Sequence, residues 1–277
     1  MEKILYVTDA VKLNRECLEF ACYLCNLTHS RLTGVFLENR EMELRSKEYI
    51  QELAGTPAVP GGRLEDQKEL YRDDCIQRFQ HICECSGINS TTHIVPGQPL
   101  AEVVKESRYA DLIVIDASSS FSWQPESTPT AFVREVLKQS ECPVVVAPES
   151  FDGIREIIFA YNGSNAAMFA IKQFTYLFPQ LRHHTVKVLC VTGEGMPLKG
   201  DEAKLKEWLN DHYEDVAFNV VEDNNIRAGL LENLFARDKA FVVMGAFGRT
   251  ALGELFIPNP AETVVKLITQ PLFISHS

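Results

Sequence analysis

The sequence predicts two tandem α/β domains, each built on a parallel sheet. Two observations predict this. Short apolar runs alternate with longer stretches whose apolar residues recur at helical spacing, the pattern of strands joined by crossover helices. The whole alternation then occurs a second time, with related residues at matching places. A chain of 277 residues has the length for two domains of about 100–200 residues each, and the boundary falls at residue 150, giving 1–150 and 151–277.

The first half opens on the strand Lys3–Asp9. A helix follows, because Leu13, Cys17, Phe20, Ala21, Leu24 and Leu27 recur on one face. Next come a strand over Leu32–Leu37, a helix from about Asp66 to Ser86, a strand near Thr91–Val95 and a helix starting at Pro99. The strand Asp111–Asp116, a helix over Pro129–Gln139 and the strand Cys142–Val146 close the half. Between Glu38 and Arg63 lies an insert that could hold one charged helix, Glu41–Leu53. The run Gly55-Thr-Pro-Ala-Val-Pro-Gly-Gly62 after it reads as a loop, a surface excursion rather than a lid.

The second half repeats the plan. Its strands are Glu156–Ala160, Lys187–Val191, Val216–Val221, Ala240–Met244 and Pro271–Ser275. Its helices run to about Phe178 and over Glu202–Asp211, Ile226–Ala236 and Ala261–Thr269. The repeat is visible in residues as well as in pattern. Val7-Thr8-Asp9-Ala10 answers Ala160-Tyr161-Asn162-Gly163, and Asp111-Leu-Ile-Val-Ile answers Ala240-Phe-Val-Val-Met. Glu141-Cys142-Pro143-Val-Val-Val answers Thr269-Gln270-Pro271-Leu-Phe-Ile.

Charge excludes some function classes. The net charge is −11, with 15 basic against 23 acidic residues in 1–150 and 12 against 15 in 151–277, and neither half has a basic run. Generic nucleic-acid binding needs clustered Lys and Arg, so none is expected. No apolar run approaches the ~20 residues of a membrane span. Met1-Glu2-Lys3 leads into a strand without the apolar stretch of a signal peptide, so a cytoplasmic protein is expected.

Eight cysteines in such a chain read as reduced thiols rather than bridges. Cys22-Tyr-Leu-Cys25 has metal-type spacing, and Cys83-Glu-Cys85 could complete a four-thiolate site. Both pairs fall inside predicted helices beside apolar neighbours, so packing is the preferred reading and no metal is expected. His183-His184 at a strand start and His212 on a helix have no carboxylate at a catalytic spacing. No nucleophile elbow, Walker loop, zinc-protease motif or Rossmann glycine run occurs. Trp123, beside Phe121 in a polar loop, reads equally as a contact patch or as packing over the next helix.

The opening strands that end in Asp9 and in Asn162-Gly163-Ser164, the strand that runs into Gly245-Ala-Phe-Gly248, and the late strands after Cys142-Pro143 and Gln270-Pro271 form an ordered set, repeated in each half. Together they resemble the universal stress protein family in its tandem form, over nearly the whole chain except the insert. The resemblance implies two doubly wound five-stranded parallel-sheet domains (adenine nucleotide alpha hydrolase-like) and a role in stress adaptation. It implies further that the last strands, Cys142–Val146 and Pro271–Ser275, pair within the chain as an internal pseudo-dimer, hiding edges that invite aggregation. A homodimer stays open beside that.

Members of the family that bind ATP use Gly-x2-Gly-x9-Gly-(Ser/Thr), whose backbone N–H groups and helix N-terminus hold the phosphates. The resemblance places Asp9 and Asn162, the latter with Gly163, where the first strand meets the nucleoside. It places the backbone near Cys190 and Val191 at the base. Helix capping is the alternative for Asp9 and Asn162. Gly245 and Gly248 fit the start of the phosphate loop, a simple strand-to-helix turn being the alternative. Ten residues on, Pro258-Asn259 replaces Gly-Ser. Pro258 has no N–H to offer, and Asn259-Pro260-Ala261-Glu262 reads as a self-capped helix start. ATP, ADP or AMP is thus the ligand implied for the second domain, while the far end of its loop argues against tight binding.

In the first half the matching loop, Asp116-Ala-Ser-Ser-Ser-Phe121, lacks both glycines, and Thr130-Ala131 holds the late position. A carboxylate there repels an anion, so this half is not expected to bind ATP in the family's manner. Two readings remain: a small-ligand binding module served by the second half, and a scaffold that binds no nucleotide. An enzyme of slow ATP hydrolysis ranks below both, since no Mg²⁺ ligand or base stands out.

Overall fold

The structure, a computed structural model, describes residues 1–39, 64–122, 124–197, 200–235, 237, 239–245 and 269–275. The expected helices Glu41–Leu53 and Ala261–Thr269, the Gly/Pro run between 55 and 62, and Trp123 lie outside the described residues in whole or nearly so. The chain divides into two compact units, Met1–Glu126 with Thr130–Glu141, and Ser127–Pro129 with Cys142–Ser277.

The first unit runs β1 (Lys3–Asp9), α1 (Arg15–Thr28), β2 (Arg31–Asn39), α2 (Leu64–Cys85), β3 (Ser90–Gly97), α3 (Pro99–Ser107), β4 (Leu112–Asp116) and α4 (Ala131–Gln139). Its strands are ordered β3-β2-β1-β4, all parallel. The inner strands carry nothing but apolar residues where helices cover both faces: Ile4, Leu5, Tyr6 and Val7 in β1 and Leu112 to Ile115 in β4 are buried. The rings of Tyr6, Phe36 and Phe79 pack together beside them.

The second unit contains β5 (Val144–Ala147), β6 (Glu156–Ala160), α5 (Asn165–Leu177), β7 (Thr185–Thr192), α6 (Glu202–Asn210), β8 (Val216–Glu222), α7 (Ile226–Phe235), β9 (Ala240–Gly245) and β10 (Leu272–Ser275). The order is β5-β10-β9-β6-β7-β8. All neighbours are parallel except β5 and β10, which pair antiparallel. Its core is a cluster of Phe159, Phe174, Phe178, Phe241 and Phe273, with Phe174 touching the other four at centroid distances of 4.9 to 5.9 Å.

The register carries the repeat. Val7 faces Ile115 across the β1–β4 ladder, and Ala160 faces Met244 across β6–β9, the same residues that the sequence repeat equates. The late strands pair as expected: Leu272 opposes Val146, Phe273 opposes Val145 and Ile274 opposes Val144. Each is an apolar strand directly after a proline, and each gives the other the partner an edge strand lacks.

One expectation is corrected and one refined. His212 is not on a helix: α6 ends at Asn210, and the His212 Nδ1 donates to the Trp208 carbonyl 2.8 Å away from the turn beyond it. Among the helical cysteines, Cys17, Cys22, Cys25, Cys75 and Cys83 are buried, but Cys85 is exposed, its Sγ 3.7 Å from the His81 ring. Cys83 and Cys85, two residues apart on a helix, cannot share a face.

Candidate functional site

In a parallel α/β sheet, ligands bind beyond the carboxyl ends of the strands. In the first unit those ends are the exits of β1 and β4. β1 stays paired with β2 through Asp9, which stands opposite Leu37. The Asp9 Oδ1 accepts from the Val11 N–H at 2.9 Å and so closes its own turn. The cap of α1 is a different residue, Asn14, whose Oδ1 accepts from Cys17 N at 3.0 Å. Asn14 is held from below by the buried Tyr6 hydroxyl, which donates to its carbonyl at 3.0 Å. Burial drives the Tyr6 phenol well above its ordinary range, with Cys17 adding to the effect, so it stays a donor.

The other half of Asn14 faces β4. Its Nδ2 donates to the Asp116 Oδ2 at 2.7 Å. The same carboxylate accepts from Ser118 N at 3.0 Å and Ser118 Oγ at 2.7 Å. The β4 exit, where the family's first glycine stands, therefore holds an internal anion with three donors pointed at it. The late position is filled likewise. Thr130 caps α4 by accepting from Val133 N at 3.3 Å, and Glu126 accepts from the Ala131 N–H at 3.1 Å and from the Ser120 hydroxyl. A carboxylate on the first free N–H of a helix satisfies both the orphan donor and the helix dipole. These two carboxylates thus accept from the backbone N–H groups of Ser118 and Ala131.

The second unit is arranged differently. The β6–β7 ladder stops at Ala160–Leu189, whereas the β7–β8 ladder continues to Thr192–Glu222. β7 thus outruns β6, and Val191, buried, pairs with Val221 alone. Tyr161 N donates to the Leu189 carbonyl at 2.9 Å, after which the chain leaves the sheet. Asn162 is exposed, and its Oδ1 accepts from Ser164 N at 3.0 Å. Gly163, at φ +77°, makes this turn, a backbone that a side chain would strain. Ser164 is the true cap of α5, accepting from Ala167 N at 3.1 Å. Asn162 therefore shapes the approach to the helix without capping it.

Gly245 closes β9. An ideal Cβ built there would lie 2.5 Å from the backbone C and O of Ala166 and the N of Ala167. This glycine is required by the contact of β9 with the first turn of α5. Gly248 and Asn259 lie outside the described residues. The structure thus brings Asn162, Gly163 and Gly245 to one end of the unit, at the start of α5, with Val191 at the neighbouring strand exit.

A further contact covers this end. Gly200, just before α6, would place a Cβ 2.6 Å from the Tyr161 hydroxyl and 3.0 Å from the Gly163 Cα. The chain after β7 therefore folds back onto the β6–α5 turn. Tyr161 is buried there, and its phenol is raised by burial first and by the nearby Cys190 and Asp201 after that. Burial, aided by Glu202, pushes the Cys190 thiol up to about 11. Neither is a nucleophile or base near neutral pH. Among the described residues no three side chains are gathered to hold a metal ion, and no helix is long and apolar enough to cross a membrane.

Asn14, Glu126 and Gly200 carry no sequence signal for these roles. Asn14 sits five residues past the strand end, Glu126 four before the cap of α4, and Gly200 in a loop with no motif. The Asp116 substitution alone is visible, as a charged residue at a glycine position.

No protein-family model matches the chain, and no curated protein matches it. Solved structures do. A universal stress protein from Archaeoglobus fulgidus DSM 4304 matches 99% of this chain with 96% of its own, at 15% identity and a TM-score of 0.67. A putative universal stress protein from Pseudomonas aeruginosa UCBPP-PA14 matches 100% of this chain with 93% of its own, at 16% identity and a TM-score of 0.54. A functionally unknown protein from Pseudomonas aeruginosa PAO1 matches 100% with 92%, at 15% identity and a TM-score of 0.56. At these identities the likeness is one of architecture, and along its whole length the chain has the α/β fold of universal stress proteins.

Proposed function

We propose that the chain is a small-ligand binding module of stress adaptation in which the second unit serves the ligand and the first does not. The reading rests on one asymmetry. The strand exits of the first unit are filled by the carboxylates of Asp116 and Glu126, which repel an anion. In the second unit the β6 exit is neutral, with the exposed Asn162, the Gly163 turn and the flank of β7 at Val191 that β6 leaves unpaired. The carboxylates of Asp201 and Glu202 stand at the start of α6, and that of Asp223 after β8. An adenine nucleotide is the ligand class this end suits, with Asn162 at the ribose or base edge and Gly245–Gly248 toward the phosphates. Calorimetry on the full chain with ATP, ADP and AMP tests it. Saturable micromolar binding, abolished by Gly248→Arg, is the expected result; no heat at millimolar nucleotide overturns it.

A second reading has its own observation. Gly200 packs on Gly163 and Tyr161 at the very end a nucleoside would enter, which favours a scaffold that binds no nucleotide. Gly200→Ala separates the two: it leaves a scaffold's partner binding unchanged and alters nucleotide affinity if the second unit holds one.

A further inference from the structure

α2 buries one face and shows the other to solvent. Tyr71, Cys75, Phe79 and Cys83, four residues apart, are buried, whereas Asp74, Gln77, Arg78, His81, Glu84 and Cys85 are exposed. Of the eight cysteines seven are buried, and Cys85 is the one that reaches water. His81 stands one turn before it on the same exposed face, at the i,i+4 spacing where helical side chains meet. The Cys85 Sγ is 3.7 Å from the His81 Nε2 and 3.9 Å from the Nδ1. The chain just beyond the pair is pinned. Ser86 N donates to the Ile82 carbonyl at 3.0 Å, Ile88 N to the Cys83 carbonyl at 2.9 Å, and the Asn26 Nδ2 of α1 to the Ser86 carbonyl at 3.3 Å. A nitrogen–sulfur pair is thus presented to solvent from a fixed backbone.

We propose that His81 and Cys85 are half of a zinc site, completed by the same two residues of a second copy of this chain. Imidazole nitrogen and thiolate sulfur are donors that zinc prefers, and their separation fits one ion. With Zn–N at about 2.1 Å and Zn–S at about 2.3 Å, a tetrahedral angle sets nitrogen and sulfur about 3.6 Å apart, against the 3.7 Å found between Nε2 and Sγ. The exposed ring turns about its own bonds to aim a nitrogen at the ion, with no movement of the backbone. A structural zinc takes four such ligands, and among the described residues no third His, Cys, Asp or Glu joins the two. One chain therefore leaves the ion half-coordinated. A copy related by a two-fold axis supplies the missing pair, giving two Cys and two His ligands in a closed, isologous contact. Both donors lie on the outer face of α2, where a second helix can cross it. Each thiol gives up its proton on binding, so one Zn²⁺ and two thiols become a neutral centre and two protons.

The test uses the untagged full chain, reduced and freed of metal, titrated with Zn²⁺ and in parallel with Co²⁺ as a spectroscopic stand-in. One ion per two chains is expected, with a doubling of mass in sedimentation that a chelator reverses. With Co²⁺ the visible bands of a tetrahedral ion and a thiolate-to-metal charge-transfer band are expected as well. Cys85→Ser and His81→Ala each abolish the doubling, whereas Cys85→His keeps it and loses the charge-transfer band. Both positions are exposed, so the variants fold like the parent, which circular dichroism checks. No binding at equimolar ion, one ion per chain with unchanged mass, or a doubling that survives Cys85→Ser would overturn the proposal. Each of these results leaves the ligand proposal for the second unit untouched.

Discussion

Gly245→Ala offers the sharpest test of how the second unit is held together. The added methyl group has no strain of its own to overcome, because Gly245 is not in the left-handed region. Its whole cost is steric. The Cβ would sit 2.5 Å from three backbone atoms of Ala166 and Ala167, where nine in ten real contacts exceed 3.4 Å. Backbone cannot rotate out of the way, so the first turn of α5 must lift by roughly 0.9 Å, a gap of the kind that forfeits much of the dispersion energy of a close-packed interface. α5 buries Ala167, Ala170, Ile171 and Phe174, so the lift is felt through the phenylalanine cluster. Overpacking of this kind costs about 3 kcal/mol, at the upper end of the usual range. With an m-value of about 2 kcal/mol/M, the urea midpoint falls by about 1.5 M. The assay is unfolding followed by fluorescence in a Trp123→Phe background, where Trp208 on α6 is the remaining indole of the two and reports the second unit. A midpoint within about 0.3 M of the parent at unchanged m, on the same scale, refutes the steric account and returns Gly245 to a purely ligand-directed role.

Two further outcomes are expected. Asp116→Asn removes the charge that holds Asn14 Nδ2, Ser118 N and Ser118 Oγ. With charge-assisted bonds worth about 1.5–3 kcal/mol and one neutral acceptor left, the loss is about 2 kcal/mol, read as a fall of several degrees in Tm; an unchanged Tm would show that the three donors are not held by this carboxylate. Arg108→Gln acts on Glu141, whose carboxyl the Arg108 guanidinium holds below its ordinary range through hydrogen bonds of 2.6 and 2.8 Å. A depressed folded pKa means that the pair's contribution is present above the unfolded value of about 4.3 and is lost as pH falls through the folded one. The variant should therefore return Glu141 to the usual carboxylate range in an NMR titration of its side-chain carbonyl; a titration unchanged by the substitution would remove Arg108 as the cause.

How much of this was legible in the sequence depended on where each residue's partner lies. Strands such as Leu112-Ile-Val-Ile are buried on both faces, and a run with no polar interruption announces that. The caps Thr130 and Ser164 act on donors three residues away, within the window that capping rules cover. β3 and β8 alternate in burial along their length and run a residue or more beyond their apolar runs, as edge strands with one paired flank do. What stayed hidden has partners far along the chain. Nothing near Gly245 reveals that Ala166 will lie against it, nor near Gly200 that Gly163 will, so a glycine kept for close approach reads like one kept for a phosphate. Asn14 reaching Asp116 is of the same kind.

The two strand-end arrangements follow from one requirement. Backbone N–H groups at the exit of a strand and the start of a helix need acceptors whether or not a ligand is present. A bound phosphate can supply them, and so can the protein. In the first unit the carboxylates of Asp116 and Glu126 supply those acceptors, for Ser118 N and Ala131 N. In the second unit the donors at the start of α5 are met by neutral acceptors, Asn162 Oδ1 for Ser164 N and Ser164 Oγ for Ala167 N. Beyond β7 and β8 the carboxylates of Asp201 and Asp223 accept from Lys204 N and Asn225 N. At the first helix start of the second unit the acceptors are neutral, whereas at the β4 exit and the start of α4 in the first unit they are charged. Converting Asp116 and Glu126 to neutral residues would therefore destabilise the first unit without making it a nucleotide site, because the backbone donors would still lack the glycine-rich approach that brings a phosphate within reach.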